Sequence, residues 1–550
     1  MVASPPVTLP PGYLLRNFRQ VSQWVLALYP DLLTETDQQF HSGFQALSEP
    51  AQHLYLRLLT RTRPLIAVES LHYAEVPDVA SALDELVTQQ FAELNPSVDA
   101  EVLLELQTRA ALQQWFETNT KSSARKADLV QTILHHYSED EIRQTIAQRQ
   151  PFTCALRTDH FERLLLLFFG NGRQDLSEFI ITELGHVRYE PYRIDRNSRY
   201  FSSVEDVDIL QRYLQVREQL EDPDIQADRT RLLECHALLP DHHGQRELQR
   251  RFDRIVLGIA RQLERLQATD DALALYRQVS LHPGRERQAR ILAKQEQAPA
   301  ALELCRQILA DSRHPEELEF AEQFGRTLAR KTGAHFTAEL APAVQDFSLT
   351  LPFTGDAVEI VAAQALTDAQ HHCFYVENTL FCGLFGLLFW DIIFAPVPGA
   401  FFHPFQRGPK DLHSEFFYPD RRDLIESRLE SMNEADWQQR IWQHYETRHG
   451  TANSMVAWDI LAPDLLERAL QAIPARHLQA IFRQLVQHPG LYSSGFPDLI
   501  RFSTDGYELI EVKAPNDRLQ PNQRRWFRHF AQAQIPARLL NVTWTEDRDA

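Results

Sequence analysis

Cysteine is scarce in this chain of 550 residues, which has five cysteines at scattered positions and no pair with CxxC spacing. Zinc fingers and small disulfide-bonded domains both depend on closely spaced cysteines, so the sequence indicates neither kind of domain. We therefore expect a protein of a reducing, cytoplasmic compartment. The cysteines are Cys154, Cys235, Cys305, Cys373 and Cys382.

A hydrophobic run of membrane-spanning length is also missing. The most apolar segment, TLFCGLFGLLFWDIIFAPVPGAFF at residues 379–402, is interrupted by Asp391, and Pro396 follows soon after. What remains is shorter than the about 20 residues that a spanning helix needs, so a buried helix is predicted. The N-terminal MVASPPVTLPPGYLL has no basic segment before an apolar stretch, and we expect no signal peptide.

Positive charge is in deficit, since 56 Lys and Arg residues against 75 Asp and Glu residues leave a formal net charge of −19. A protein this acidic is not a general binder of polyanions. Any surface that binds nucleic acid must therefore be a local basic patch on an acidic protein.

The N-terminal two-thirds of the chain is predicted to be mainly helical, with one short strand at residues 65–68, because Leu-, Ala-, Gln-, Glu- and Arg-rich stretches recur. Residues 103–136 predict a helix, a basic loop and a second helix. The segment resembles a SAP module, a short DNA-binding unit, and lysines beside a helix N-terminus suit phosphate oxygens. The alternative is a solvated loop in an ordinary helical pair. The candidate DNA-binding residues here are Lys121, Arg125 and Lys126.

A faint internal repeat follows, in which ALALYRQV at 272–279 matches ALELCRQI at 301–308 with an offset of 29 residues. Such self-similarity predicts stacked helix pairs of the tetratricopeptide type, although that repeat has about 34 residues. The turn between the copies carries Arg285 and Arg287, which either contact phosphate or belong to a solvated turn. Phenylalanine, proline and tryptophan then become frequent, and a C-terminal domain is predicted from near Pro342.

Residues 495–519, GFPDLIRFSTDGYELIEVKAPNDRL, predict a β-hairpin that carries three charged side chains. With a four-residue loop Asp498 faces Glu511, and with a two-residue Asp-Gly loop it faces Lys513. Side chains alternate along a strand, so Glu511 and Lys513 share a face in either register. All three charged groups therefore meet on one side of the hairpin.

Two acids that face each other repel, and a divalent cation removes that repulsion. Oxygen ligands without a nearby His or Cys favour magnesium or manganese over zinc. A lysine beside them can orient water for attack on a phosphate. The hairpin thus predicts metal-dependent phosphodiester hydrolysis, and the alternative is a surface ion pair between Glu511 and Lys513 with Asp498 capping a strand.

The segment after the hairpin is basic and rich in aromatic residues. Between residues 515 and 540 the only acid is Asp517. A local basic patch of this kind is what an acidic protein needs in order to bind nucleic acid. The candidate DNA-binding residues are Arg518, Arg524, Arg525 and Arg528, and the aromatic residues between them are predicted to belong to the core.

Four motifs carry a resemblance to a known family: LFGLLFWDIIF at 384–394, SMVAWD at 454–459, FPDL at 496–499 and EVKAPNDRL at 511–519. Together they resemble the VRR-NUC branch of the PD-(D/E)xK nucleases, and within it the Fanconi-associated nuclease family. The resemblance is strong over roughly residues 345–545.

The resemblance implies a catalytic role for Glu377, Asp498, Glu511, Lys513 and Gln523. Lys513 would position the attacking water or stabilise the charge of the transition state. Gln523, on the following helix, would support the site. The implied ligands of Mg²⁺ or Mn²⁺ are Glu377, Asp498, Glu511 and the Val512 carbonyl.

The predicted fold is multidomain, with a mostly α-helical N-terminal two-thirds and a C-terminal α/β PD-(D/E)xK nuclease domain. The predicted boundaries are 1–96 for an N-terminal helical domain, 97–240 for a SAP-like DNA-binding region, 241–341 for tetratricopeptide-like repeats and 342–550 for the VRR-NUC domain.

The resemblance implies that the substrate is branched DNA, in particular a 5′ flap, and that 5′-to-3′ exonuclease trimming is possible. It also implies a role in DNA repair that includes the repair of interstrand crosslinks. A Holliday-junction resolvase and a non-catalytic repair scaffold are the alternatives. No Cys/His cluster corresponds to the ubiquitin-binding zinc finger of animal members, so we expect a bacterial, nucleoid-associated protein without ubiquitin-dependent recruitment. Asn522 stands where animal members have a lysine near a bound 5′ phosphate, which puts a phosphate pocket in question.

Overall fold

The structure is a computed structural model that describes residues 12–61, 63–118, 125–172, 174, 176, 187–337, 343–434 and 436–545. The chain divides into two compact units, residues 1–184 and residues 185–550. Helices dominate the described part of both units, as predicted. None of the described helices combines the length and the apolar character needed to cross a membrane.

The first unit combines helices with a small antiparallel sheet of order β1-β3-β2. Local signals set the helix starts, since Thr34 and Ser138 each form a capping box with the acid three residues on. The short strand predicted at 65–68 is present as β1. The elements are α1 (Tyr13–Leu28), α2 (Glu35–Ala46), α3 (Glu49–Leu59), β1 (Ile66–Ala67), α4 (Val79–Thr88), β2 (Ala92–Leu94), α5 (Ala100–Leu106), α6 (Arg109–Trp115), α7 (Lys126–His136), α8 (Glu139–Arg149), β3 (Phe152–Ala155) and α9 (Thr158–Phe169).

The second unit opens with a series of helices that includes both copies of the sequence repeat. Helices α13 to α17 each pack against the next, as expected for stacked helix pairs. The two repeat copies lie on α14 and α16. The helices are α10 (Val204–Gln219), α11 (Pro223–Gln226), α12 (Arg229–Ala237), α13 (Arg246–Arg265), α14 (Thr269–Tyr276), α15 (Gly284–Lys294), α16 (Ala298–Ala310) and α17 (Pro315–Thr332).

A five-stranded mixed sheet of order β4-β8-β7-β6-β5 forms the centre of the C-terminal part. Strands β4 and β7 run parallel to β8, and β5–β6 and β6–β7 are antiparallel pairs. Helix α26 provides the crossover from β7 to β8 that parallel neighbours require. The elements are β4 (Asp346–Leu351), α18 (Val358–Ala365), β5 (His372–Tyr375), α19 (Leu380–Leu388), α20 (Trp390–Ile393), α21 (Phe417–Ser431), α22 (Trp437–Arg448), α23 (Pro463–Ala472), α24 (Ala475–Gln487), α25 (Pro489–Tyr492), β6 (Leu499–Ser503), β7 (Gly506–Lys513), α26 (Pro521–Gln532) and β8 (Ala537–Trp544).

The hairpin β6–β7 adopts the register in which Phe502 pairs with Tyr507. This confirms the predicted register that sets Asp498 opposite Glu511, and the register with Asp498 opposite Lys513 is wrong. Pairing continues to Ser503 and Gly506, so the connecting loop is shorter than the four residues predicted.

The apolar run 379–402 begins with a buried helix, as predicted, because every residue of α19 is buried. Gly386 of this helix lies against the SMVAWD segment. A Cβ there would lie 2.6 Å from Val456 Cγ2 and 2.9 Å from Met455 Cβ. Only glycine lets these two motifs pack this closely, which gives a structural reason for their joint presence.

Candidate active site

Asp498 lies immediately before β6 and is held there by two main-chain hydrogen bonds. The Asp498 carbonyl accepts from Val376 N–H at 2.8 Å. Its carboxylate Oδ2 accepts from Val512 N–H, also at 2.8 Å. The residue is 7% exposed. Because both neighbours belong to the sheet region, the position of this carboxylate is set by the fold of the sheet.

Glu511 lies on β7, and one of its oxygens receives two contacts. Glu511 Oε1 lies 2.7 Å from Lys513 Nζ and accepts from Gln523 Nε2 at 2.5 Å. The other oxygen, Oε2, is buried without a hydrogen-bond partner. A buried acceptor that lacks a partner is costly, which marks this atom as a place for a ligand.

Burial raises the pKa of both acids on this face. The pKa of Asp498 rises to about 6, mainly through burial and further through the negative charges of Glu377 and Glu359. The pKa of Glu511 rises to about 8, again mainly through burial, with the charge of Asp498 adding to it. Lys513 opposes both rises. Burial thus makes the charged form of both acids costly, and a cation bound beside them would reduce that cost.

Glu377 follows β5 and stands at the exposed side of the site. Its carboxylate accepts from Tyr375 OH at 2.6 Å and from Asn378 Nδ2 at 3.1 Å. Asn378 has a left-handed backbone, with φ of 56°, and its side-chain oxygen accepts from Phe496 N–H at 3.1 Å. Asn378 thus links Glu377 to the segment that leads into Asp498.

Glu359, near the start of α18, was missed by the sequence reasoning. Its charge contributes to the raised pKa of Asp498, which brings a fourth carboxylate into the electrostatic surroundings of the site. An acid in the first turn of a helix is common because it favours the helix dipole. Nothing in the local sequence distinguished Glu359 from such an acid.

The donor set fits a hard divalent cation, since it offers carboxylate oxygens and includes the unpartnered Glu511 Oε2. The oxygens of Glu377, Asp498 and Glu511 do not gather as a trio within 4.8 Å of one another. A bound cation would have to draw them closer.

Gln523 is the residue of α26 that reaches the acids. Its Nε2 donates to Glu511, while its Oε1 accepts from Gln520 N–H at 2.8 Å, so the two ends of the amide have different partners. Outer partners of this kind are worth about 10-fold to 100-fold in metal affinity or activity. We expect Gln523→Leu to lower the cleavage rate by that factor in a single-turnover assay. Gln532→Ala, at the exposed end of the same helix, should leave the rate unchanged, and a normal rate for Gln523→Leu would contradict the supporting role.

Of the four arginines in the predicted basic patch near α26, two are exposed to solvent and two form ion pairs within the chain. Arg518 and Arg524 are exposed. Arg525 instead lies 3.2 Å from Glu319 of α17, and Arg528 lies 3.0 Å from Glu322 of the same helix. These two arginines connect α26 to the helical repeats, so in this structure their charges are matched within the chain.

The other candidate DNA-binding residues are also placed by the structure, with one exception. Arg285 pairs with Glu317, and Arg287 pairs with Glu264. In the first unit Arg125 is exposed at the start of α7, and Lys126 donates to the Glu105 carbonyl at 2.5 Å. Lys121 lies outside the described residues.

The order α18, β5, β6, β7, α26, β8, with helices α19 to α25 between β5 and β6, and the acids and lysine on one face of the hairpin define a PD-(D/E)xK-type nuclease domain. The VRR-NUC domain family matches residues 432–544, and the family described as "FAN1, HTH domain" matches residues 12–93. A relative from Pseudomonas aeruginosa is 32% identical over 98% of this chain, so the chain belongs to the Fanconi-associated nuclease family and is a hydrolytic DNA nuclease. The sequence reasoning predicted a helical domain at 1–96 but did not anticipate the helix-turn-helix family there.

Relatives support this membership over nearly the whole chain. The Fanconi-associated nuclease 1 homolog of Pseudomonas aeruginosa is 32% identical over 98% of this chain and 97% of its own. The Arabidopsis thaliana homolog is 27% identical over 93% of this chain, which spans 64% of that relative. A crystal structure of paFAN1 bound to 5′-flap DNA with a 2-nucleotide flap and a gap superposes with a TM-score of 0.85 at 31% identity, covering 98% of this chain and 100% of that one.

Proposed function

We propose that this nuclease cuts branched DNA at 5′ flaps in a reaction that depends on Mg²⁺ or Mn²⁺. The main support is the match over 98% of the chain to a relative whose crystal structures contain 5′-flap DNA. The presence of Asp498, Glu511 and Lys513 together argues against the alternative of a non-catalytic scaffold. The family relationship supports a role in DNA repair that includes interstrand crosslinks, within the cytoplasm of a bacterial cell.

Glu377, Asp498, Glu511 and the Val512 carbonyl would hold the cation. When bound, such an ion supplies Lewis-acid activation of water and stabilises charge on a phosphate oxygen. Val512 N–H holds Asp498 in place, and Lys513 and Gln523 together orient Glu511.

Lys513 would carry the charge-stabilising role among the residues of the chain. Its side chain is 11% exposed, and its ammonium group lies 2.7 Å from Glu511 Oε1. An ammonium group held in such a poorly hydrated place interacts more strongly with a developing negative charge than it would in water. It would therefore stabilise the phosphate in the transition state and help to position the attacking water.

Arg518 and Arg524 are the proposed phosphate contacts near the cut, because they are the exposed arginines of the predicted patch. Asn522 contacts Ser494 through its side chain at 3.4 Å. A Cβ on Gly495 would lie 2.7 Å from the Asn522 carbonyl carbon. Asn522 thus packs tightly against Gly495 and has no charge with which to bind a 5′ phosphate. We therefore expect the rate of DNA cleavage to be independent of a terminal 5′ phosphate.

Cleavage of a panel of labelled DNAs tests the proposal. The panel contains a 5′ flap with and without a terminal phosphate, a 3′ flap, a four-way junction and plain duplex, each with manganese or with chelator. We expect the 5′ flap to be cut fastest, at the same rate with and without the terminal phosphate. We expect no DNA to be cut in chelator. Faster cutting of the four-way junction would favour the resolvase alternative, and cutting that persists in chelator would overturn metal dependence.

A further inference from the structure

Two histidines and a glutamate lie close together in the helical repeats, apart from the acids of the cleavage site. His282 stands just before α15, and His314 and Glu316 stand at the start of α17. Each offers one ligand atom within 4.8 Å of the other two. Among the described residues, no other trio of His, Cys, Asp or Glu side chains meets that spacing.

The separations within the trio suit one small ion. His282 Nδ1 lies 3.6 Å from Glu316 Oε2, and His314 Nδ1 lies 3.9 Å from the same oxygen. His314 Nδ1 also accepts from Glu316 N–H at 3.3 Å, so an ion bound at this nitrogen would replace that hydrogen bond. Metal–ligand bonds of about 2.1 Å in a tetrahedral zinc site place neighbouring ligand atoms about 3.4 Å apart. Each histidine nitrogen therefore needs to approach Glu316 Oε2 by only a few tenths of an ångström to share an ion with it.

Glu316 is oriented for this role by a cation on its other side. Its Oε1 lies 3.6 Å from the Arg525 guanidinium, which leaves Oε2 facing the two imidazole rings. The rings of His282 and His314 are stacked, with centroids 4.8 Å apart and planes within 7°. Both rings thus present an edge to the same oxygen.

A second carboxylate gives independent support for a metal site. His282 Nε2, the nitrogen that faces away from Glu316, lies 3.3 Å from Glu286 Oε2. Glu286 Oε1 is in turn fixed by Arg290 Nε at 2.9 Å. Histidines that bind metal usually donate their other N–H to a carboxylate, which fixes the ring and its tautomer.

The trio is reachable from solvent and has room for a further ligand. It lines a cavity of about 600 Å³ that also includes His488, whose ring centroid lies 5.7 Å from that of His314. Water or His488 can occupy a fourth position. The cavity also contains arginines, which would repel a cation, but several of them are ion-paired: Arg246 with Asp420, Arg250 with Glu415 and Arg313 with Asp311.

We propose that His282, His314 and Glu316 bind a zinc-type transition metal ion, with Glu286 as the outer partner of His282. Two imidazoles and one carboxylate are a ligand set that zinc accepts and that magnesium does not select. The ion connects the turn before α15 to the start of α17. Through the contact of Glu316 with Arg525 it also supports α26, so its role is structural.

Metal binding by the full-length protein tests the site. The parent protein carries Asp498→Asn, so that the cleavage site contributes little, and is stripped with chelator. Zn²⁺ affinity is measured by competition with a chromogenic chelator, and Co²⁺ is added to record the visible absorption of a tetrahedral site. We expect one tight Zn²⁺ per chain, a tetrahedral Co²⁺ spectrum, and a rise in Tm with Zn²⁺ because only the folded chain has the site.

Variants separate this site from adventitious binding. His282→Ala and His314→Asn should weaken Zn²⁺ binding by at least about 100-fold, and Glu286→Gln by about 10-fold. Asparagine at 314 keeps an acceptor for Glu316 N–H and so preserves the start of α17. His371→Ala, at a half-buried histidine that contacts Asp368 and lies outside the trio, is the matched control and should bind like the parent. Unchanged Zn²⁺ affinity in the folded His282 and His314 variants, or no tight Zn²⁺ in the parent, would overturn the proposal.

Discussion

Replacing Asp498 by asparagine should lower 5′-flap cleavage by about a thousandfold while leaving flap binding within about threefold. A loss of this size is typical when a group that organises transition-state charge is removed. Asparagine keeps an oxygen acceptor for Val512 N–H, so the main-chain contact at 2.8 Å can persist and the sheet should remain intact. Single-turnover cleavage and fluorescence anisotropy with labelled flap DNA measure the two quantities.

The matched control for this variant is Glu508→Gln on β7. Glu508 is an odd number of positions from Glu511, so the two side chains point to opposite faces of the sheet. It pairs with Arg501 at 2.7 Å and with Arg538 at 3.4 Å, away from the acids. Cleavage by this control should be normal. A fully active Asp498→Asn protein would refute the assignment of the site, and loss of flap binding would mean that Asp498 acts in binding rather than in chemistry.

Replacing Arg421 by methionine should destabilise the second unit by about 3–5 kcal/mol, the usual cost of breaking a buried ion pair. The Arg421 side chain is 0% exposed and lies 2.6 Å from Asp411 Oδ2. Its second terminal nitrogen lies 3.2 Å from Asp411 Oδ1, and its Nε donates to the Ile392 carbonyl at 3.1 Å. Methionine restores none of these contacts and leaves the Asp411 charge buried without its partner.

Urea unfolding followed by far-ultraviolet circular dichroism measures this effect. Arg468→Met is the control, because Arg468 forms an exposed i,i+4 pair with Asp464 at 3.0 Å. Pairs of that kind contribute about 0.5 kcal/mol or less. Equal stability losses in the two variants would contradict the importance assigned to the buried pair.

The relation between Asp498, Glu511 and Lys513 could be predicted from sequence because it is local, whereas Glu377 and Gln523 were candidates only through the family resemblance. Alternation along one strand places Glu511 and Lys513 on the same face, and a short hairpin brings Asp498 opposite to them. The hairpin left two registers open, and the structure selects the one with Phe502 opposite Tyr507. The buried helix at the start of the apolar run followed from the charge and proline that interrupt that run.

Features that depend on distant parts of the chain could not be predicted. Arg525 and Arg528 were predicted to belong to a DNA-binding patch, and that role stays a prediction. Their contacts with Glu319 and Glu322 could not be predicted, because these partners lie 206 positions earlier in the chain. Glu359 reaches the surroundings of Asp498 only because α18 packs beside the sheet. Neither the ion pairs nor the proximity of Glu359 to Asp498 can be predicted from the residues that are adjacent in sequence.

The same limit applies to the trio of His282, His314 and Glu316. Thirty-two positions separate the two histidines, and helices α15 and α16 lie between them. Metal sites are recognised in sequence by short, fixed spacings, and this one has none. Only the packing of α17 against the neighbouring helices brings the three side chains together.

The central claim is that the buried acids Asp498 and Glu511 bind a divalent cation that cleavage requires. The dependence of cleavage on manganese tests this claim most directly. The protein is stripped with chelator, and Mn²⁺ binding and 5′-flap cleavage are followed together as the metal is restored, with Asp498→Asn in parallel. We predict no cleavage without metal, a recovery that follows Mn²⁺ occupancy in the native chain, and no recovery in the variant. Cleavage at the full rate in the stripped protein would contradict the account.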